Sequence, residues 1–399
     1  MKATERLYYE APLLLEFSAR VLEHGALGDK PSVILDRTAF YPESGGQMAD
    51  RGLLAGAPVT DVQVDDQGRV HHVLEGALPE IGSEIAGSID RARRRLHMAL
   101  HTGQHMLSRA LADIAGAATV SSRLGETGCT IDVDVDPLDE RLALRSEELV
   151  NSLIDDDLEV RSFFPTPSEL KALPLRRAPK VEENVRVVAI GEFDVSPCGG
   201  THCLRTGQVG LVRVTGVERY KGKARINFSA GARARRELGE QADILKALSR
   251  DLTCGPDAIA TAIQKLRRDV TEAREALGRA RSRAAEATAG ELLARALARG
   301  ETHVVAVLED ASVELLRSVA ARITAHPTAV ALLAGRAQDG TPVLLARGSA
   351  ATSPDCGALL KRIAAAAGGR GGGKPDRAEG RLPPGIDWEA LVASALGST

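Results

Sequence analysis

The stretch IDRARRRLHMALHTGQHMLSRAL, residues 89–111, and the shorter SPCGGTHCLRTGQVG, residues 196–210, decide how this chain is read. Asp90 is placed to cap a helix, because a short acidic side chain before a helical run accepts from the first free amides. Leu96, Leu100, Met106 and Leu107 then fall on a helical stripe. His101 and His105 are four residues apart. A helix puts both imidazoles on one face about one turn apart, a spacing suited to two ligands on one zinc ion. His97 lies a turn earlier and is read as a helix-face residue or a contact behind the ligands. Cys198 and His202 repeat the spacing of four. The two glycines between them let the backbone fold so that a thiolate and an imidazole face one point. His101, His105, Cys198 and His202 together make a sensible tetrahedral zinc set. Cys203 is left out, since consecutive residues rarely aim at one ion. Thr102 stands where HExxH peptidases carry a general-base Glu, so peptidase chemistry is not expected.

Working outward, 399 residues exceed a comfortable single core and point to an α+β multidomain chain. Short segments at 13–21, 32–36, 59–64 and 70–74, bounded by Gly, Pro and Asp, predict a small antiparallel barrel or sandwich over 1–90, of which the β-barrel is the expected form. His71 and His72 sit on one of its strands and are read as structural. Residues 91–234 mix helices with strands near 129–135, 158–162, 185–190, 209–216 and 224–229, and form the α+β zinc domain. Over 235–300, Leu238, Leu245 and Leu252 recur at sevens, and Cys254-Gly255-Pro256 supplies a stop and a start. Ile259, Ile263, Leu266, Val270, Ala273 and Leu277 then alternate spacings of four and three. That pattern predicts a coiled-coil helical hairpin. Residues 301–399 read as a small C-terminal α/β domain with a Gly-rich run.

A net charge of -3 gives no global basic field, and the runs Arg91, Arg93–Arg95 and Arg233, Arg235, Arg236 are read as solvated helix faces. Five scattered cysteines argue against a disulfide framework. The charged N-terminus lacks the apolar core of a signal peptide and no stretch is long and apolar enough to span a membrane, so a cytoplasmic protein is expected.

Three motifs, TAFYPESGGQMADRG (38–52), the histidine helix and CGGTH (198–202), occur in an order and spacing that resembles the editing half of alanyl-tRNA synthetase. The chain is more similar still to the long form of the free-standing AlaX alanyl-tRNA editing family. The hairpin and GGGKPDRAEG resemble the C-terminal domain that these synthetases share with DHH-type phosphoesterases, although Arg381 stands where a further glycine is usual. The resemblance implies a hydrolase that deacylates mischarged Ser-tRNA(Ala), with Gly-tRNA(Ala) a further candidate, and zinc on His101, His105, Cys198 and His202. It implies catalytic roles for Thr38, near the substrate hydroxyl, and for Gln47 and Gln104. It also implies a pocket lined by Ser44, Gly45, Gly46, Ser121 and Ser122. The barrel motif begins within forty residues of the start, so no aminoacylation is expected.

The Gly-rich run poses a separate question. Gly368, Gly373 and Lys374 fit GxxxxGK, but Pro375 replaces the Ser or Thr that would hold magnesium, and a helix precedes the run, so ATP hydrolysis is not expected. A turn that offers amides, Arg370 and Lys374 to tRNA phosphates is expected instead. The hairpin and C-terminal domain could also pair two chains into a homodimer. Four protein ligands would close a zinc site that hydrolysis usually keeps open, and the sequence leaves this tension standing. Seryl-tRNA(Thr) editing and a non-catalytic, zinc-stabilised tRNA-binding module are the rival readings.

Overall fold

In the computed structural model residues 16–89 hold six strands: β1 (Glu16–Leu27), β2 (Lys30–Leu35), β3 (Gly52–Leu54), β4 (Ala57–Val64), β5 (Val70–Leu74) and β6 (Glu84–Ile89). Exposed and more buried side chains alternate along β1 and β6, the signature of strands with one face on a core, whereas β2 ends in four consecutive buried residues and β5 is buried throughout. All neighbours run antiparallel, in the closed order β1-β2-β5-β4-β3-β6. Closure leaves no free edge. Val21, Val33, Leu35, Phe40, Leu54 and Val62 fill the interior. The first strand is longer than the sequence reading gave it. The structure describes residues 3–179, 181–336 and 340–397, and the chain divides into units Met1–Ala247 and Leu248–Thr399.

Asp90 caps α1 (Arg91–Ala115) by accepting from the amides of Ala92 and Arg93 at 2.8 and 3.0 Å, and Gly116 closes it in the left-handed conformation at φ 62°. The expected single apolar stripe is not what is found. From His97 to Ser108 every residue of the helix is buried, so α1 runs through the unit instead of lying on it. One four-stranded sheet packs on it, with β12 (Val212–Tyr220), β13 (Lys223–Ala230), β8 (Cys129–Val133) and β7 (Thr119–Leu124) in that order. α2 (Glu140–Asp155) packs on α1 as well. A second sheet, β9 (Val160–Phe163), β10 (Val187–Ile190) and β11 (Asp194–Pro197), leads into the CGGTH loop.

Two of the arginines read as solvated are buried. Arg94 donates to both Asp50 carboxylate oxygens, at 2.6 to 3.2 Å, and to the carbonyls of Pro12 and Ala39. Arg233 donates to Cys129 Sγ at 3.2 Å and to the carbonyls of Gly125 and Glu126, each at 3.0 Å. A run of like residues on a helix with one side against the core cannot all face solvent. Arg91, Arg95, Arg235 and Arg236 do.

Two helices occupy the stretch read as a hairpin, α3 (Gly231–Asp251) and α4 (Ile259–Ala298). The seam residues Leu266, Val270 and Leu277 stand about half exposed. In the second unit, β14 (His303–Glu309), β15 (Val330–Arg336), β16 (Thr341–Arg347), β18 (Arg377–Leu382) and β17 (Arg370–Gly373) form one sheet in the order β14-β15-β16-β18-β17. Alternate side chains of β15 feed two cores. Ala331 and Leu333 meet α4 and α5 (Val313–Ile323), while Val330 and Leu332 meet α6 (Cys356–Ala367) and α7 (Trp388–Gly397). The Gly-rich run is therefore a strand and not a turn. Its backbone is paired on one side with β18, Arg370 opposite Arg381 and Gly373 opposite Ala378. Among the described residues no helix is long and apolar enough to cross a membrane.

Replacing Arg94 with Ala leaves the Asp50 carboxylate buried without its partner, which should cost about 3–5 kcal/mol of stability. Urea unfolding should show the midpoint fall with an unchanged slope. A loss below about 1 kcal/mol would mean that the pair does not hold the barrel to the helix.

Candidate metal centre

His101 and His105 project from α1, and Cys198 and His202 from the loop that follows β11. One ligand atom from each lies within 4.8 Å of the others, and all four residues are at most 9% exposed. Cys198 Sγ is 3.4 Å from His101 Nε2 and 3.3 Å from His202 Nε2. Metal–sulfur and metal–nitrogen bonds of about 2.3 and 2.0–2.1 Å in a tetrahedron require donors roughly 3.3–3.6 Å apart. The set fits a metal ion.

The far side of each imidazole faces a polar side chain. Gln47 Oε1 accepts from His101 Nδ1 at 2.7 Å and from the Thr201 amide at 3.1 Å, while its Nε2 donates to Thr201 Oγ1 at 2.8 Å. Those partners fix which end of the Gln47 amide is oxygen, and so place the His101 proton on Nδ1 and its lone pair on Nε2. Thr102 Oγ1, which accepts from the Cys203 amide, lies 3.2 Å from His202 Nδ1. His105 Nδ1 is 3.3 Å from Asp194 Oδ2, within ion-pair range but out of line for a hydrogen bond. Arg176 holds the other Asp194 oxygen at 2.6 Å. Burial by itself would push the Cys198 thiol up, yet the three surrounding histidines together draw it well below its usual range. That is the environment of a thiolate ligand.

Glycines make this geometry possible at two points. A Cβ on Gly200 would overlap the His101 ring, and Gly46, at φ 88°, has no room for one against the Ser122 carbonyl. Ser44-Gly45-Gly46-Gln47 is a tight turn closed by Ser44 N to Gln47 O at 3.1 Å and Gln47 N to Ser44 O at 2.9 Å. Both glycines have positive φ, as a two-residue turn of this kind requires. Being a turn, it also delivers Gln47 to the cluster. Arg186 secures the CGGTH loop by donating to the carbonyls of Cys198 and Gly200 at 3.0 and 2.9 Å.

The other expected site residues make their hydrogen bonds to groups other than the four ligands. Gln104 Nε2 donates to Ser108 Oγ at 2.7 Å, one turn along its own helix. Ser121 donates to Asp132 at 2.7 Å, and Ser122 meets the turn through its backbone. Ser44 and Gly45 are exposed. Thr38 is fully buried, accepts from the Phe40 amide at 3.0 Å and pairs with His72 Nε2 at 2.8 Å. Burial lowers His72 to about 4, and its Nδ1 faces the Val33 carbonyl at 3.2 Å. Nε2 of this neutral ring must accept, so Thr38 donates its proton to His72 and keeps one lone pair. His72, read as purely structural, thus sets the polarity of Thr38. His97 is buried, and its Nδ1 has no hydrogen-bond partner among the described residues. Burial and then Arg93 lower it to about 4. Arg370 and Lys374 are exposed on the second unit. Asp194, Thr201 and Arg186 were not singled out in the sequence. Thr201 carries a signal, as a polar neighbour of a ligand, but nothing local marks Asp194.

Three family models match the chain. They are the second additional domain of threonyl and alanyl tRNA synthetases over residues 185–227, class II (A) tRNA synthetases over 4–93, and the DHHA1 domain over 300–396. The first contains Cys198 and His202. Alanine–tRNA ligases of Archaeoglobus fulgidus and Pyrococcus abyssi are each 32% identical over 98% and 95% of this chain. The chain spans only 43% and 42% of those ligases. The alanyl-tRNA editing protein AlaX-L of Pyrococcus horikoshii is 30% identical over 95% of this chain and 94% of its own length. Matched almost end to end by that relative, the chain belongs to the long-form AlaX family of alanyl-tRNA editing proteins.

Proposed function

We propose that this chain is a trans-editing hydrolase that removes serine from mischarged tRNA(Ala), with zinc on His101, His105, Cys198 and His202. The observation that carries the reading is the arrangement of the three imidazoles, with outer nitrogens facing Gln47, Asp194 and Thr102 and a thiolate-favouring cysteine among them. Such outer contacts are what metal-binding histidines need, and a His3Cys set suits zinc. The end-to-end match with an alanyl-tRNA editing protein supports the substrate class.

Hydrolysis of an aminoacyl ester adds water to the carbonyl carbon, breaks the bond to the ribose oxygen and returns a proton to that oxygen. A zinc ion held by His101, His105, Cys198 and His202 would supply Lewis-acid chemistry for this reaction. Gln47 joins both ligand pairs, because one carboxamide holds His101 of the helix and Thr201 of the loop. Thr38 serves discrimination. Its proton is committed to His72, so toward a substrate it offers only an acceptor, which matches the hydroxyl that serine has and alanine lacks. A site that hydrogen-bonds such a hydroxyl rejects the analogue lacking it by roughly 10⁴–10⁵.

Purified, zinc-loaded protein should deacylate Ser-tRNA(Ala) and leave Ala-tRNA(Ala) and Ser-tRNA(Thr) intact. Cleavage of Ser-tRNA(Thr) alone would assign it to the threonine system, and stability of all three would leave a binding module. Cys198→Ala should abolish both deacylation and stoichiometric zinc while uncharged tRNA still binds. Gln47→Ala should weaken zinc by about 10–100-fold in chelator competition; unchanged affinity would reduce Gln47 to a loop anchor. Thr38→Val should shrink the ratio of serine to alanine cleavage more than it slows the serine reaction. An unchanged ratio would place discrimination elsewhere.

A further inference from the structure

On the first unit, a cavity of about 610 Å³ lies beside the N-terminal turns of α1, where α3 begins. None of its lining residues is a ligand of the metal cluster. Arg91 and Arg95 line it one helical turn apart, and Arg235 reaches it from α3. None of the three has a carboxylate or carbonyl partner among the described residues, in contrast to the buried Arg94 and Arg233. The base of the cavity is apolar, with Leu96, Met98 and Cys203 among its walls.

We infer that this cavity binds the RNA of the substrate, taking backbone phosphates on Arg91, Arg95 and Arg235 and a ribose or base against the apolar wall. Three guanidiniums around one concavity with no counter-charge repel one another, and an anion relieves that repulsion. Guanidinium donors match phosphate oxygens bidentately. The apolar wall beside them suits a flat base or sugar better than a free inorganic anion. Position argues in the same direction. Met98 lies on α1 three residues before the ligand His101, and Cys203 directly follows the ligand His202. Nucleotides held here would lie against the back of the same helix and loop that carry the cluster. The inference rests on the tRNA substrate proposed above, and contacts of this type are independent of sequence.

The test uses the full-length zinc-loaded protein and uncharged tRNA(Ala), followed by fluorescence anisotropy between 50 and 300 mM salt. Each phosphate neutralised on a duplex contributes roughly -0.9 to the slope of log affinity against log salt. Arg95→Ala with Arg235→Ala should therefore reduce the slope by about 1–2 and weaken binding at least tenfold at low salt, with an unchanged melting temperature. The pair Arg95→Lys with Arg235→Lys keeps the charges and should restore the slope. An unaltered slope in the alanine pair overturns the inference. So does arginine-dependent binding of AMP alone with tRNA affinity unchanged, which would make the cavity a mononucleotide site. Because the tRNA is uncharged, the outcome is separate from the hydrolase reading. Absent deacylation with arginine-dependent tRNA binding would sink that reading and leave this site in place.

Discussion

A guanidinium removed from water must find acceptors for its donors within the protein, and Arg94 finds them on Asp50, Pro12 and Ala39. The Asp50 carboxylate is answered in turn, since it also accepts from the Tyr41 amide at 2.7 Å. This buried pair joins three chain segments around the barrel to the helix that bears two metal ligands. It also sets a register. Asp50 meets Arg94, and three residues earlier Gln47 meets His101, seven residues further along α1. Seven helical residues rise about 10.5 Å, and three extended residues span about 10 Å. The segment 47–50 therefore lies along the helix with both ends fixed.

Gln47 is what that register delivers. Its single carboxamide contacts His101 on the helix and Thr201 on the loop, so the two ligand pairs are tied together before any metal arrives. Thr102 does the corresponding work for His202, and Asp194 faces His105. The residue that replaces a peptidase's general base thus has a different task, which is to orient a ligand of the other pair. A preformed donor set with the outer nitrogens of His101 and His202 engaged lowers the reorganisation needed to bind a metal. The four clustered side chains are buried together.

What the sequence revealed and what it hid follow from range. The ligand pairs were legible because each is local, four residues apart on a helix or a glycine loop. The barrel strands were legible because the Gly, Pro and Asp residues that bound them are local signals. The partners of the histidines were not, since Gln47 and Thr201 are separated by 154 positions and Thr102 and His202 by 100. Periodicity failed where burial is complete. α1 has no wet face between His97 and Ser108, so an apolar stripe does not say which polar residues point inward. The Gly-rich run near 370 misled for another reason. Glycine usually marks turns, but here the strand Arg370–Gly373 is closely paired with β18 and lies near α6, and β-structure depends on such packing more than on intrinsic preference.

The arginine run of α1 shows how one composition serves opposite ends. Successive helical residues point about 100° apart, so Arg93, Arg94 and Arg95 cannot share an environment. Arg94 turns inward to Asp50, Arg93 donates to the Ala49 carbonyl at 2.8 Å, and Arg95 with Arg91 faces the open cavity. Charge that is answered inside the fold stabilises it and is unavailable to a ligand. Charge left unanswered at the surface does nothing for the fold and is free to meet an anion. The same physical test, whether a guanidinium already has acceptors, separates the arginines that hold the fold from those left open to an anion. It does so on a helix whose later turns carry His101 and His105, so two of the three cavity arginines and half of the His/Cys cluster share one element.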